Sequence, residues 1–164
     1  MTLPGRRVLN FAGFAMCAGL MGFALYAQHV LLLDPCPLCV LQRVATISLG
    51  LVFLVAALHH PSGWGRYVYV ILIFLAAGDG AAVAGWHWHL QNLPPSEVPA
   101  CGPGLDYMLE NFPFSQVMQM VFKGSGECAE VVWNFLGLSM PAWVFIWMVG
   151  LGGAGIWNQL RKPQ

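Results

Sequence analysis

The chain has 164 residues, of which 58% are hydrophobic and only 9% charged, with a formal net charge of zero. Soluble globular chains carry about a quarter of their residues as charges, so this composition belongs to a membrane protein, and the length to one domain covering the whole chain. Its few lysines and arginines are scattered and balanced by acids, which excludes nucleic acid as a partner.

The first apolar run, about residues 8–28, is long enough for the roughly 20 residues that cross a bilayer. Arg6 and Arg7 ahead of it could open a cleaved leader, but the run is long and lacks a small-x-small cleavage site, so a retained span is expected. Cys17 lies inside this run and reads as a small packing hydrophobe. A short loop, about residues 29–39, then carries Pro35-Cys36-Pro37-Leu38-Cys39. If a helix starts here, Cys36 falls at its N-cap, Pro37 at the first helical position, where a missing N–H costs nothing, and Cys39 in the first turn. The positive helix end, with Arg43 one turn further on, is a setting that suits a thiolate at Cys39.

The second span covers about residues 40–58 and stops at the turn residues His59-His60-Pro61-Ser62-Gly63. The third, about 67–86, contains Asp79, an acid expected at a hydrated helix contact beside Gly78 and Gly80. A long polar loop follows, about 88–134, with five of the seven acids. Within it Phe112, Phe114, Val117, Met118, Val121 and Phe122 recur at three- and four-residue steps, the pattern of a short helix lying on the membrane surface. The fourth span, about 135–157, has Pro141 early and Gly150, Gly152 and Gly153 for close helix packing. The fold class is therefore an all-α membrane protein, a bundle of four transmembrane helices with a short first and a long second outer loop. Arg6, Arg7, Arg66, Arg161 and Lys162 share one side against Arg43 and Lys123 on the other, which makes the termini cytoplasmic. In a bacterium the cysteine loops then face the periplasm, where disulfides persist.

Five cysteines stand at positions 17, 36, 39, 101 and 128. A Cys101–Cys128 bridge would close 28 residues and stabilise the loop by about 3.5 kcal/mol in the chain-entropy model. Its glycine-rich, exposed flanks equally suit a disulfide that must be attacked, and spacing leaves staple and relay both open. Cys36, Cys39, Cys101 and Cys128 could also make a four-thiolate zinc site, but the second pair lacks the close spacing of a zinc knuckle, and no metal is expected.

Three ordered features resemble the disulfide bond formation protein B (DsbB) family. They are Gln28-His29-Val30 ahead of Cys36, Cys39 and Arg43; Cys101 in the long loop; and Ser125-Gly126-Glu127-Cys128-Ala129-Glu130, followed by Trp133-Asn134-Phe135-Leu136-Gly137-Leu138, Met140-Pro141 and Trp143. The match touches all four predicted spans and both loops. The resemblance implies a multi-pass enzyme of the bacterial inner membrane, a protein-dithiol:quinone oxidoreductase. Such an enzyme re-oxidises a DsbA-like periplasmic thiol oxidase and passes the electrons to ubiquinone or menaquinone in the membrane quinone pool. Carried onto this chain, it implies that Cys101 and Cys128 exchange with the partner, that Cys36 and Cys39 form the quinone-proximal pair, and that Arg43 and His87 lie at the quinone. His89 is the alternative to His87. Pro37, Asp79 and Cys17 are not signatures of the family. The competing reading from another class is a non-catalytic four-helix scaffold with one structural loop disulfide. A reductase of the vitamin K epoxide reductase type would place its membrane-proximal pair after its loop pair, the reverse of the order here.

Overall fold

The computed structural model describes residues 5–94, 96–100, 102 and 105–161. Among these described residues four helices are long and apolar enough to cross a membrane: α1 (Arg6–His29), α2 (Pro37–His59), α3 (Gly65–Gln91) and, furthest along the chain, α7 (Met140–Leu160). Between α3 and α7 come three short helices, α4 (Leu105–Asn111), α5 (Phe114–Lys123) and α6 (Gly126–Ala129), and a two-stranded hairpin of β1 (Asn134–Phe135) and β2 (Leu138–Ser139). The protein is an all-α, four-helix membrane protein.

Each boundary has a local cause. Pro37 occupies the first turn of α2, and Cys36 caps it, its sulfur accepting from the Cys39 amide at 3.4 Å. His60, at φ 48°, ends the helix in the left-handed region, and Pro61 cannot continue it. The fourth span begins at Met140 rather than near residue 135, because Leu136 and Gly137, at φ 53° and 80°, make a two-residue turn that folds the preceding segment into a hairpin. At its other end the third span exceeds expectation, running through Trp86 to Gln91.

Apolar helices in lipid gain little from hiding apolar surface from one another, so close packing and polar contacts must hold the bundle. Small residues provide the first. A Cβ at Gly152 would lie 2.7 Å from Ala77, and one at Gly155 2.7 Å from the Phe53 ring. At Gly80 it would meet Met148 Sδ at 2.8 Å and Ala45 at 3.1 Å. Cys17 is buried in the same mid-bundle core, against Leu49, Gly50 and Phe53. Polar contacts tie α1 to α7, where Asn158 donates to Asn10 Oδ1 at 3.0 Å. Gly80, on the inner face of α3, takes the helix contact, whereas Gly78 and Asp79 lie on the exposed outer face of the bundle.

A second core sits at the end of the bundle, where Leu38, Val83 and Leu90 of the long helices meet Met108, Val117 and Val121 of the loop helices. The α5 helix, the short amphipathic helix expected within this loop, turns Val117 and Val121 inward and leaves Phe114 and Phe122 exposed. The extended end of α3 clasps the loop by its backbone. Trp86 Nε1 donates to the Phe122 carbonyl at 2.8 Å, and Gln91 Nε2 to that of Glu130 at 3.3 Å.

Candidate active site at the mouth of the second long helix

The cap geometry of α2 sends its two cysteines in different directions. Cys36, outside the first turn, is buried under the loop helices; Cys39, inside it, is partly open. Their sulfurs are 3.0 Å apart.

On the Cys36 side stand His87 of α3 and Cys128 of α6, both buried. His87 Nε2 lies 3.7 Å from Cys36 Sγ, and those two atoms and Cys128 Sγ all fall within 4.8 Å of one another. The imidazole is fixed at both nitrogens. Gln42 Nε2 donates to Nδ1 at 2.9 Å, which leaves the proton on Nε2 to be donated to the Cys128 carbonyl at 3.0 Å. The ring thus anchors the backbone of α6 to α3 with Cys128 over Cys36. Contact with Cys36, together with burial, pushes the Cys128 thiol well above the ordinary cysteine range. Cys101 lies outside the described residues, but Ala100 accepts a hydrogen bond from the Gly126 amide at 3.3 Å, and Gly102 packs against Ser125. Ala100 and Gly102 therefore lie beside the turn that carries Cys128.

On the Cys39 side a cavity of about 340 Å³ opens between α1, α2, α7 and the hairpin. Cys39 and Arg43 stand in its wall beside Trp133, Phe135, Trp143 and Trp147. The aromatic wall is self-supporting: Trp133 stacks on Phe135 at 5.8 Å, Phe23 of α1 meets Trp133 edge-on, and Trp143 Nε1 donates to the Phe135 carbonyl at 3.0 Å. Arg43 is steadied from α1, donating to Gln28 Oε1 and, at 3.1 Å, to the Ala24 carbonyl. His87 does not line this cavity and stands 3.7 Å from Cys36 Sγ, while His89 is exposed.

Two contributors escaped the sequence reading. Gln42 is only a polar interruption of an apolar run and Gln28 only part of the motif ahead of Cys36, neither with an assigned role; a glutamine within a span needs a partner, and that need was the available signal. Of the cavity-wall tryptophans, Trp133 and Trp143 stand in the motif that carries the resemblance but with no role attached, and Trp147 carried no signal beyond its place in the fourth span.

A family model described as Disulfide bond formation protein DsbB matches residues 6–158. Among curated proteins, the Disulfide bond formation protein B of Nitrosococcus oceani is 50% identical over 155 residues, covering 94% of this chain and 92% of the relative. That of Hahella chejuensis is 51% identical over 158 residues, covering 96% of both. That of Methylococcus capsulatus is 48% identical over 164 residues, covering 98% of this chain and all of the relative.

Proposed function

The chain belongs to the disulfide bond formation protein DsbB family of disulfide-generating membrane oxidoreductases, and from that premise we propose that it re-oxidises a DsbA-like thiol oxidase in the periplasm and delivers the electrons to a membrane quinone. The observation that carries this reading is the position of Cys36, 3.0 Å from Cys39 Sγ and within 4.8 Å of Cys128 Sγ. A sulfur placed between two others can exchange one disulfide partner for the other without a large movement of the chain.

The cycle starts when a thiolate of the reduced partner attacks Cys101 in a Cys101–Cys128 bridge, and Cys128 leaves as thiolate. Cys128 attacks Cys36 in the Cys36–Cys39 disulfide, forming Cys36–Cys128 and releasing the Cys39 thiolate. The partner's second thiolate then resolves its mixed disulfide, and the partner departs oxidised. The Cys101 thiolate so freed attacks Cys128, which restores the loop bridge and leaves Cys36 and Cys39 reduced. Two electrons have moved from one pair to the other, and each step breaks one S–S bond as it makes one.

The cavity fits a quinone: its wall is apolar and aromatic, suited to a flat ring, and its one arginine is aimed by two acceptors of α1. Ubiquinone or menaquinone there supplies a two-electron acceptor beside Cys39. Arg43 holds the head group by its planar N–H fork, and the aromatic wall keeps water from the thiolate. The positive-inside bias supports cytoplasmic termini, with both cysteine pairs in the periplasm at the inner membrane.

The decisive experiment gives detergent-purified protein a reduced thioredoxin-fold donor and follows quinone absorbance. One quinone should be consumed per donor disulfide formed, and Cys36→Ser or Cys39→Ser should stop it. Retained activity in both variants would reduce the chain to a scaffold.

A further inference from the structure

We propose that the fully reduced sulfur cluster is a binding site for one borderline-soft divalent cation of the zinc class, held by Cys36, Cys128 and His87, with Cys39 as the fourth ligand. This deepens the cysteine cycle and rests on it only for the origin of the dithiol state. Zinc takes thiolate at about 2.3 Å and imidazole at about 2.0–2.1 Å in a tetrahedron, which sets sulfurs about 3.8 Å apart and sulfur about 3.6 Å from nitrogen. Cys36 Sγ is already 3.7 Å from His87 Nε2, and Cys128 Sγ lies within 4.8 Å of both. Cys39 Sγ, 3.0 Å from Cys36 Sγ but outside that three-atom set, has to open from Cys36 by roughly 0.8 Å and swing toward Cys128 and His87 to complete the tetrahedron. The three residues that already converge are buried, so a cation there exchanges slowly with water. They come from the cap of α2, from α3 and from α6, which is why neighbour spacing of cysteines does not disclose the set.

The shell behind the ligands serves the site as well. Coordination through Nε2 requires the imidazole proton on Nδ1, where Gln42 now donates at 2.9 Å. An amide carries both a donor and an acceptor, so Gln42 can turn its oxygen to receive that proton while His87 releases the Cys128 carbonyl. Binding transfers no electrons; it displaces the thiol protons to solvent. Each disulfide within this chain that the cycle forms, Cys36–Cys39, Cys36–Cys128 or Cys101–Cys128, withdraws at least one donor sulfur, so the cation is held only when both pairs are reduced, the state that accumulates when the quinone acceptor is lacking. A bound cation then occupies Cys36 and blocks re-oxidation.

The test titrates Co²⁺, then Zn²⁺, into the full-length protein in detergent after anaerobic reduction. One equivalent of Co²⁺ should give thiolate charge-transfer and tetrahedral d–d absorption that Zn²⁺ removes. The oxidised protein should give none. His87→Ala and Cys128→Ala should each weaken binding at least tenfold, Gln42→Leu about tenfold, and Cys101→Ser should not change it. Binding unaffected by His87→Ala and Cys128→Ala would mean simple chelation by Cys36 and Cys39 and would overturn the site, as would absence of the spectrum in reduced wild type. Capture of the donor protein through Cys101 shows whether the His87 variant is folded; if it is not, His87→Gln, which retains a polar group for the Cys128 carbonyl but lacks the imidazole ligand, takes its place under the same tenfold criterion. Quinone reduction is measured separately, so a chain that binds Co²⁺ without reducing quinone refutes the cycle and leaves the site, and the converse refutes the site alone.

Discussion

Cys36 and Cys39 are three residues apart on one helix start, yet they face different surroundings that meet at Gln42. Around Cys36 lie a buried imidazole, a buried amide and a second buried thiol, joined by hydrogen bonds that fix their positions. Around Cys39 lies an open apolar cavity with a single guanidinium. The first setting suits reactions between fixed protein groups, where placement to within an ångström decides the rate. The second suits a ligand that enters and leaves from the bilayer. Pro37 and the N-cap produce this division, because a residue outside the first turn and one inside it leave the helix at different angles.

The largest effect should come from removing the sulfur common to both sides. Cys36→Ser is expected to lower quinone-coupled donor oxidation by about 10³-fold or more, as loss of a nucleophile usually does; a smaller loss would show that the two sides communicate by another path. Cys128→Ala cuts only the buried side. It should halt turnover while accumulating a mixed disulfide between Cys101 and the donor, identified by mass spectrometry after acid quenching, and a species trapped through Cys39 instead would reverse the assignment of the two sides.

Arg43→Ala should act on the cavity alone. Losing a charge-assisted contact of about 1.5–3 kcal/mol corresponds to a KM for quinone raised about 10- to 100-fold, with donor trapping through Cys101 in the Cys128→Ala background unchanged. Arg43→Lys should fall between, because the charge remains and the planar fork does not. Equal damage to trapping would show that Arg43 merely supports the bundle.

pH separates the two sides more gently. The Cys128 thiol is held above its ordinary range by contact with Cys36 and by burial, so its thiolate is scarce at neutrality. In the transfer from Cys128 to a Cys36–Cys39 disulfide the Cys36 thiol is gone and burial alone holds the Cys128 thiol up, so the single-turnover rate should rise from pH 6 towards about pH 9. The linked stability has the opposite slope. A raised folded pKa means that the folded reduced protein retains the proton more tightly, so this contribution is complete below about pH 8.5 and is lost above it. Hydrogen exchange at α6 in the reduced protein should accelerate there. The smallest effect is expected from Gly124→Ala, where φ is +79° and a Cβ would collide with Leu90; about 1–3 kcal/mol of loop docking should be lost, lowering the buried-side rate before the quinone KM moves.

The four spans were legible because an apolar stretch of bilayer length can do little else, and the role of Pro37 was legible because its chemistry is local. Met140 was less so: residues 134–139 are apolar enough to continue a helix, and only the positive φ at Leu136 and Gly137 turns them into a hairpin. The surroundings of His87 could not be read at all, since they depend on α3 outrunning its apolar stretch and meeting a loop carbonyl 41 residues away. Asp79 illustrates the same limit, because whether a polar residue faces in or out depends on which glycine the neighbouring helix chooses, and here it is Gly80.

The place of Cys36 between two sulfurs has a consequence for the order of events. A sulfur atom in a disulfide has one sulfur neighbour, so in the proposed cycle Cys36 is bonded to Cys39 or to Cys128 and never to both. It works as a changeover contact that opens one connection in closing the other. In that cycle a thiol partner at the loop and a quinone in the membrane are never linked through a continuous chain of disulfides, and electrons pass in pairs, one exchange at a time.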